Sequence, residues 1–189
     1  MKELLPVLLF MIATICGAES WTYNGSSTEF IPLSRDLGEN WSRSLIRTVS
    51  EENELKGLFQ STAPVALGPT TNYEIFRRKN KIRELSEVEF YFEGKSSGKQ
   101  TYQMVILLFE NHEDLELYWT ETHPEQKESP VFTTLKNGIH GCIFRLQNIY
   151  VRVSSQALST ECERIAGMVF KTIELEQTKS NQSGDGNSE

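Results

Sequence analysis

The stretch TYQMVILLFENHEDLELYWTETHP, Thr101–Pro124, sets the architecture of this chain. From Met104 to Phe109 the apolar residues are consecutive and fall on both faces of a strand, so the strand belongs in the middle of a sheet covered above and below. The period then changes. Asn111 stands where a helix starts, with Asp114 three residues on able to answer it as in a capping box. Leu115, Tyr118 and Trp119 form an apolar stripe at helical spacing, and Pro124 ends the segment. Glu113 and Asp114 occupy the first turn, where negative charge is favoured.

Upstream, ELSEVEFYFEG (84–94) alternates Val88, Phe90 and Phe92 with Glu87, Glu89, Tyr91 and Glu93, which predicts a half-buried strand with an acidic outer face. GKSSG (94–98) closes it as a hairpin onto the central strand. Downstream, GIHGCIFRLQNIYVRVSS (138–155) reads as two strands joined at Gln147 and Asn148. A two-residue turn sets Leu146 against Ile149, Phe144 against Val151 and Cys142 against Val153, with Arg145 and Arg152 on the other face. In LSTECERIAGMVFKTIEL, Thr160 and Glu163 have capping-box spacing, and Cys162, Ile165, Ala166, Val169, Phe170 and Ile173 make an apolar stripe that must lie on the sheet.

Closer to the N-terminus, NWSRSLIRTVS (40–50) is a strand candidate. Ser50 with Leu55, Leu58 and Phe59 predicts a short helix over about 51–60, and the Pro- and Gly-containing STAPVALGPTT ends it as a loop. The order strand, strand, helix, strand, strand, helix gives a single α+β domain, an antiparallel sheet with two to three helices packed on it. Between about Val88 and Ile173 that order resembles small secreted α+β modules of the PsbP/Mog1-like class. The likeness is one of topology, so it implies no function and no site residue.

The ends of the chain carry different signals. MKELLPVLLFMIATICGAES places one lysine before an apolar run, Leu4–Cys16, followed by Gly17 and Ala18. Such a run is shorter than the ~20 residues a membrane-spanning helix needs, and the pattern predicts a secretory signal peptide over 1–18 with the mature chain starting at Glu19. Lipidation of Cys16 is the competing route, and the bulky Ile15 before it argues against that. Residues 19–175 then form the domain. From 176 to 189 the sequence, QTKSNQSGDGNSE after Glu176, has no apolar residue and is expected to be a disordered tail.

The formal charge of −7 argues against nucleic acid or an anionic membrane as partner. There is no glycine-rich phosphate loop, nucleophile elbow, Cys-x-x-Cys or histidine cluster in the sequence, which points away from an enzyme, and no cofactor is expected. HEDLE (112–116) resembles a zincin helix motif with a glutamate in place of the second histidine. Helix-start chemistry accounts for its acids, so no metal is expected there. His140 and Cys142 lie at i and i+2 of a strand, roughly 7 Å apart, too far for one to activate the other. Arg77, Arg78, Lys79, Lys81 and Arg83 form the basic block RRKNKIR, the surface best suited to an anionic ligand or acidic partner. Asn24, Asn40 and Asn181 head N-x-S sequons and are glycan acceptors if the source is a eukaryote.

After signal removal Cys142 and Cys162 are the remaining cysteines. Both point into the same core, and export favours a disulfide between them. The functional expectation is a secreted or cell-envelope, non-catalytic domain that binds a protein or an anionic ligand. A secreted hydrolase with a carboxylate-based site and a lipoprotein anchored through Cys16 are the alternatives.

Overall fold

The computed structural model describes residues 21–51, 53–55, 81–94, 98–123, 133–134, 140–156 and 159–184. A 3-10 turn (Ser27–Phe30) and a one-turn helix α1 (Ser34–Leu37) precede β1 (Trp41–Arg43) and β2 (Arg47–Val49). The long strands β3 (Ile82–Gly94) and β4 (Gly98–Phe109) follow, then helix α2 (His112–Thr122). The chain continues through β5 (Thr133–Thr134), β6 (His140–Leu146) and β7 (Ile149–Ser155) to helix α3 (Ser159–Gly184). Every strand pair is antiparallel, in the order β1-β3-β4-β7-β6-β5, with β2 sharing the β1 edge of β3. This is the expected α+β fold.

β4 has strands on both sides and helices above and below. Met104, Ile106 and Leu108 face α3 and pack in one core with Val88, Phe90, Phe144, Val151 and Val153. Val105, Leu107 and Phe109 face α2 and pack with Leu85, Leu115, Tyr118, Trp119, Ile143 and Tyr150. The consecutive apolar run is therefore the signature of a strand buried twice, which a one-sided hairpin strand would not tolerate.

The β6–β7 pairing takes the expected register, Cys142 to Val153, Phe144 to Val151 and Leu146 to Ile149. Gln147 adopts φ 56°, which places the first turn residue in the left-handed region that a tight two-residue hairpin requires. The strand expected over 40–50 is split into β1 and β2. Both pair with β3, at Phe90–Phe92 and Leu85–Glu87, and Ser44–Ile46 bulge out between them. Of the helix expected over 51–60, residues 53–55 are described and helical. Leu55 is buried, with its N–H bonded to Glu51 O at 2.9 Å, and the remainder lies outside the described residues.

Asn111 caps α2 as expected, its Oδ1 accepting from Asp114 N at 2.9 Å, but Asp114 does not complete the capping box, and its Oδ2 is buried without a hydrogen-bond partner. α3 differs from expectation at both ends. It begins at Ser159, so Thr160 sits inside the first turn and does not cap it. It also runs to Gly184, so of the tail expected over 176–189 residues 176–184 are helical, and 185–189 lie outside the described residues. Lengthening an existing helix costs far less than starting one, and local bonds support the added turns. Lys179 pairs with Glu176 at 2.5 Å, and Thr178 Oγ1 donates to Glu174 O at 2.8 Å. Among the described residues no helix is long and apolar enough to cross a membrane.

The N-terminal segment is tied down by buried polar groups. Asn148 is fully buried. Its Oδ1 accepts from Tyr23 N at 2.9 Å, and its Nδ2 donates to Tyr23 O at 3.0 Å and to Phe109 O at 2.8 Å. The amide thus imitates a strand neighbour and joins three chain segments with every polar atom satisfied. Farther along, Glu84 Oε1 accepts from Ser26 Oγ at 3.0 Å, Ser27 N at 2.6 Å and Ser27 Oγ at 2.5 Å. Ser86 Oγ lies between Ser27 Oγ and Thr48 Oγ1, 2.6 and 2.8 Å away. Tyr23, Phe30, Ile31 and Leu37 then complete the α3-side core.

Candidate functional site

On the α2 side the sheet is apolar over only half its length. Residues directly opposite across neighbouring strands share a face, so the pairings Glu87–Val105–Arg152 and Glu89–Gln103–Ser154 mark where apolar side chains give way to polar ones. Beyond them come Tyr91 opposite Thr101 and Glu93 opposite Lys99. Thr101, Glu93 and Lys99 are exposed, while Glu87, Glu89, Tyr91 and Gln103 are half-buried.

The strip is ordered by its own contacts. Gln103 Nε2 donates to Glu87 Oε1. Tyr91 OH donates to Glu89 Oε2 at 2.5 Å, and the carboxylate raises the phenol's pKa. Lys99 Nζ lies 4.0 Å from the centre of the Tyr91 ring. At the β1–β2 bulge, Ser44 N donates to Glu89 O at 2.8 Å and Glu89 N donates to Ser44 Oγ at 3.0 Å. The bulge opens a shallow cleft of about 210 Å³ lined by Ser44, Leu45, Arg47, Glu87, Val88 and Glu89. Leu45 is 95% exposed at its rim. The arrangement offers carboxylates, a phenol, an amide and two cations on a broad surface, a chemistry suited to contact with another macromolecule.

The other half of this face is closed by α2. Arg145 NH1 donates to Glu116 Oε2 at 2.6 Å, and its guanidinium lies 4.7 Å from the centre of the Trp119 ring. His112 Nδ1 lies 2.8 Å from Gln147 O, which can only accept, so Nδ1 carries a proton. Its Nε2 faces Glu116 Oε1 at 3.7 Å. HEDLE does bring His112 and Glu116 together, but Arg145 already holds the carboxylate, and a cation there opposes a metal ion. Among the described residues no group of three or more His, Cys, Asp or Glu side chains could hold a metal. His123 closes the helix and lies at the far end from His112, so the two histidines do not meet.

The expected disulfide is not formed. Cys142 on β6 and Cys162 on α3 are both buried in the α3-side core as thiols not bridged to each other. They are not near enough to bond, although Cys142 still contributes to raising the pKa of Cys162. A helix and a sheet that meet through full side chains hold their backbones farther apart than the ~7 Å Cα span of a disulfide. Burial, followed by Glu163, pushes Cys142 up to about 11, and burial first pushes Cys162 to about 12. Neither is a nucleophile at neutral pH. His140 on β6 pairs with Ser155 on β7, and its side chain lies outside the described residues.

The basic block divides. Lys81 Nζ pairs with Glu110 Oε2 at 3.4 Å, and Arg83 NH2 donates to Gly25 O at 2.7 Å, so both serve the fold. Arg77, Arg78 and Lys79 lie outside the described residues, as does the proposed signal with Cys16. Asn24, Asn40 and Asn181 are exposed, Asn40 in a turn at φ 67°. Comparison with family models, curated proteins and solved structures finds no match. The PsbP/Mog1-like likeness therefore rests on the order of elements alone. Sequence reasoning missed Asn148, the Glu84 hydroxyl cluster and the Arg145–Glu116–Trp119 contact, because each joins residues far apart in the chain.

Proposed function

We propose that this chain is an exported, non-catalytic binding domain whose contact surface is the polar half of the α2-side sheet face. The observation that carries the reading is the change along β3 and β4 from an apolar half under α2 to the strip Glu87, Glu89, Tyr91, Glu93, Lys99, Thr101 and Gln103. A sheet face that served only as core would continue apolar to the hairpin, as the α3 side does with Phe90 and Tyr102. Export with a mature start at Glu19 belongs to the same proposal, and so does a supplementary contact of Arg77, Arg78 and Lys79 with an anionic region of the partner.

The test places a photo-crosslinker at Thr101 and, as a control, at Lys171 on the exposed side of α3, in protein returned to the extracellular fraction of its natural host. A partner trapped from Thr101 but not from Lys171, and lost when Glu87 and Glu89 are changed to lysine, is the expected result. Equal trapping from both positions would end the assignment. Turnover of a hydrolase substrate that Glu87→Gln or Glu89→Gln abolishes would replace it with the carboxylate-based alternative.

A further inference from the structure

His123 closes α2 at the border between helix and sheet. Its N–H donates to Trp119 O at 2.8 Å, and its ring stacks on Trp119 with centroids 4.6 Å apart and planes 27° apart. The Tyr150 ring lies 6.1 Å away. Thr122 Oγ1 has one proton and donates it to Tyr118 O at 2.7 Å, so in its 2.7 Å contact with His123 Nδ1 it accepts. Nδ1 therefore carries the ring proton, and Nε2 is the atom left to titrate.

We infer that His123 is an acid-responsive latch, whose neutral ring holds the end of α2 on the sheet and whose protonation at Nε2 releases it. The charged groups facing it decide the sign. Arg145 of β6 and Arg152 of β7 are both cations, and Glu116 of α2, the acid on the helix's own inner side, is paired with Arg145. Among the described residues its other titratable neighbours, Tyr118 and Tyr150, are buried phenols whose pKa values are raised by desolvation, so they stay neutral. A third cation here is desolvated and repelled by Arg152 and Arg145, which favours the position in which the ring is solvated. Release uncovers Trp119, Tyr118 and Tyr150 and adds an aromatic area to the polar strip beside them.

Burial, then Arg152 and Arg145, hold the His123 pKa down to about 4. Because the closed-state value lies below that of a free imidazole, about 6.5, the latch is fully held above pH 6.5 and weakens as pH falls toward 4. Opening at pH 5 should be about thirtyfold more favourable than at pH 7.5.

Hydrogen exchange on the full chain, expressed as protection of the α2 amides relative to those of β4, reads this directly. The expected result is a loss of α2 protection of about that size between pH 7.5 and 5 in the parent, and none in His123→Phe, which keeps a stacked ring without the titrating atom. Equal losses in both proteins, or no loss in the parent, would overturn the inference. If the variant does not fold, the proton NMR titration of His123 in the parent decides: a pKa below 5 upholds the latch and one near 6.5 removes it.

Discussion

On its α3 side β4 and β7 are apolar from Tyr102 at one end to Leu108 and Ile149 at the other, the polar Glu84 and Ser86 of β3 being covered by the N-terminal segment, and the helix stripe Cys162, Ile165, Ala166, Val169 and Ile173 is buried on the same side. On its α2 side the same strands are apolar only as far as Val105 and then carry Glu87, Gln103, Glu89 and Tyr91. Two faces of one set of strands thus do different work, because alternating side chains let each face be specified independently. The α3 face supplies stability, each fully buried large side chain contributing ~1.5–3 kcal/mol. The α2 face holds a smaller core, and among the described residues its other half is polar and partly exposed.

The largest effect that contrast predicts is on the α3 side. Phe144→Ala should cost about 3–5 kcal/mol in urea unfolding, since Phe144 is fully buried and meets Phe170 edge-on at 5.4 Å. A cost under about 1 kcal/mol would break the assignment of that face as the main core. Next comes the clamp that ties the N-terminal segment to the sheet. Asn148→Ala strands Tyr23 N, Tyr23 O and Phe109 O, and should cost about 2–3 kcal/mol while exposing Trp21 and Tyr23 to fluorescence quenchers.

The α2-side closure is weaker. Glu116→Ala removes the carboxylate 2.6 Å from Arg145, whose side chain is 11% exposed, and should cost about 1–2 kcal/mol. In the open half, Thr101→Ala and Glu89→Gln should each change stability by less than about 0.5 kcal/mol while reducing partner capture. A larger loss would show that the strip is structural. The smallest effect belongs to the helix extension. Ending the chain at Glu176 should lower the helical circular dichroism signal in proportion to the lost turns, yet leave the unfolding midpoint nearly unchanged, because Ser180 and Asn181 are exposed.

The secondary structure was legible wherever a period was strong. Met104–Phe109 announced a doubly covered strand, and the β6–β7 register followed from setting Phe144 against Val151. Position along the chain was less legible at element ends. Thr160 and Glu163 have the spacing of a capping box, yet the helix already includes Ser159, and the sequence from 176 to 189 reads as a tail because composition alone does not show that a helix already formed is cheap to extend. The candidate surface was half visible. The acidic alternation of Glu87, Glu89 and Glu93 stands in the sequence, but where α2 stops covering it does not.

The sequence by itself determined the α+β order, the central place of β4 and the apolar stripe of α3, because hydrophobic periodicity is a local property and burial follows it. It also placed Cys142 and Cys162 in one core. Only the tertiary structure decided that these thiols stay apart, that Asn148 would hold Tyr23 and Phe109, and that Arg145 would reach Glu116. Those outcomes depend on distances between residues remote in the chain, which the packing of whole elements fixes and no local pattern encodes.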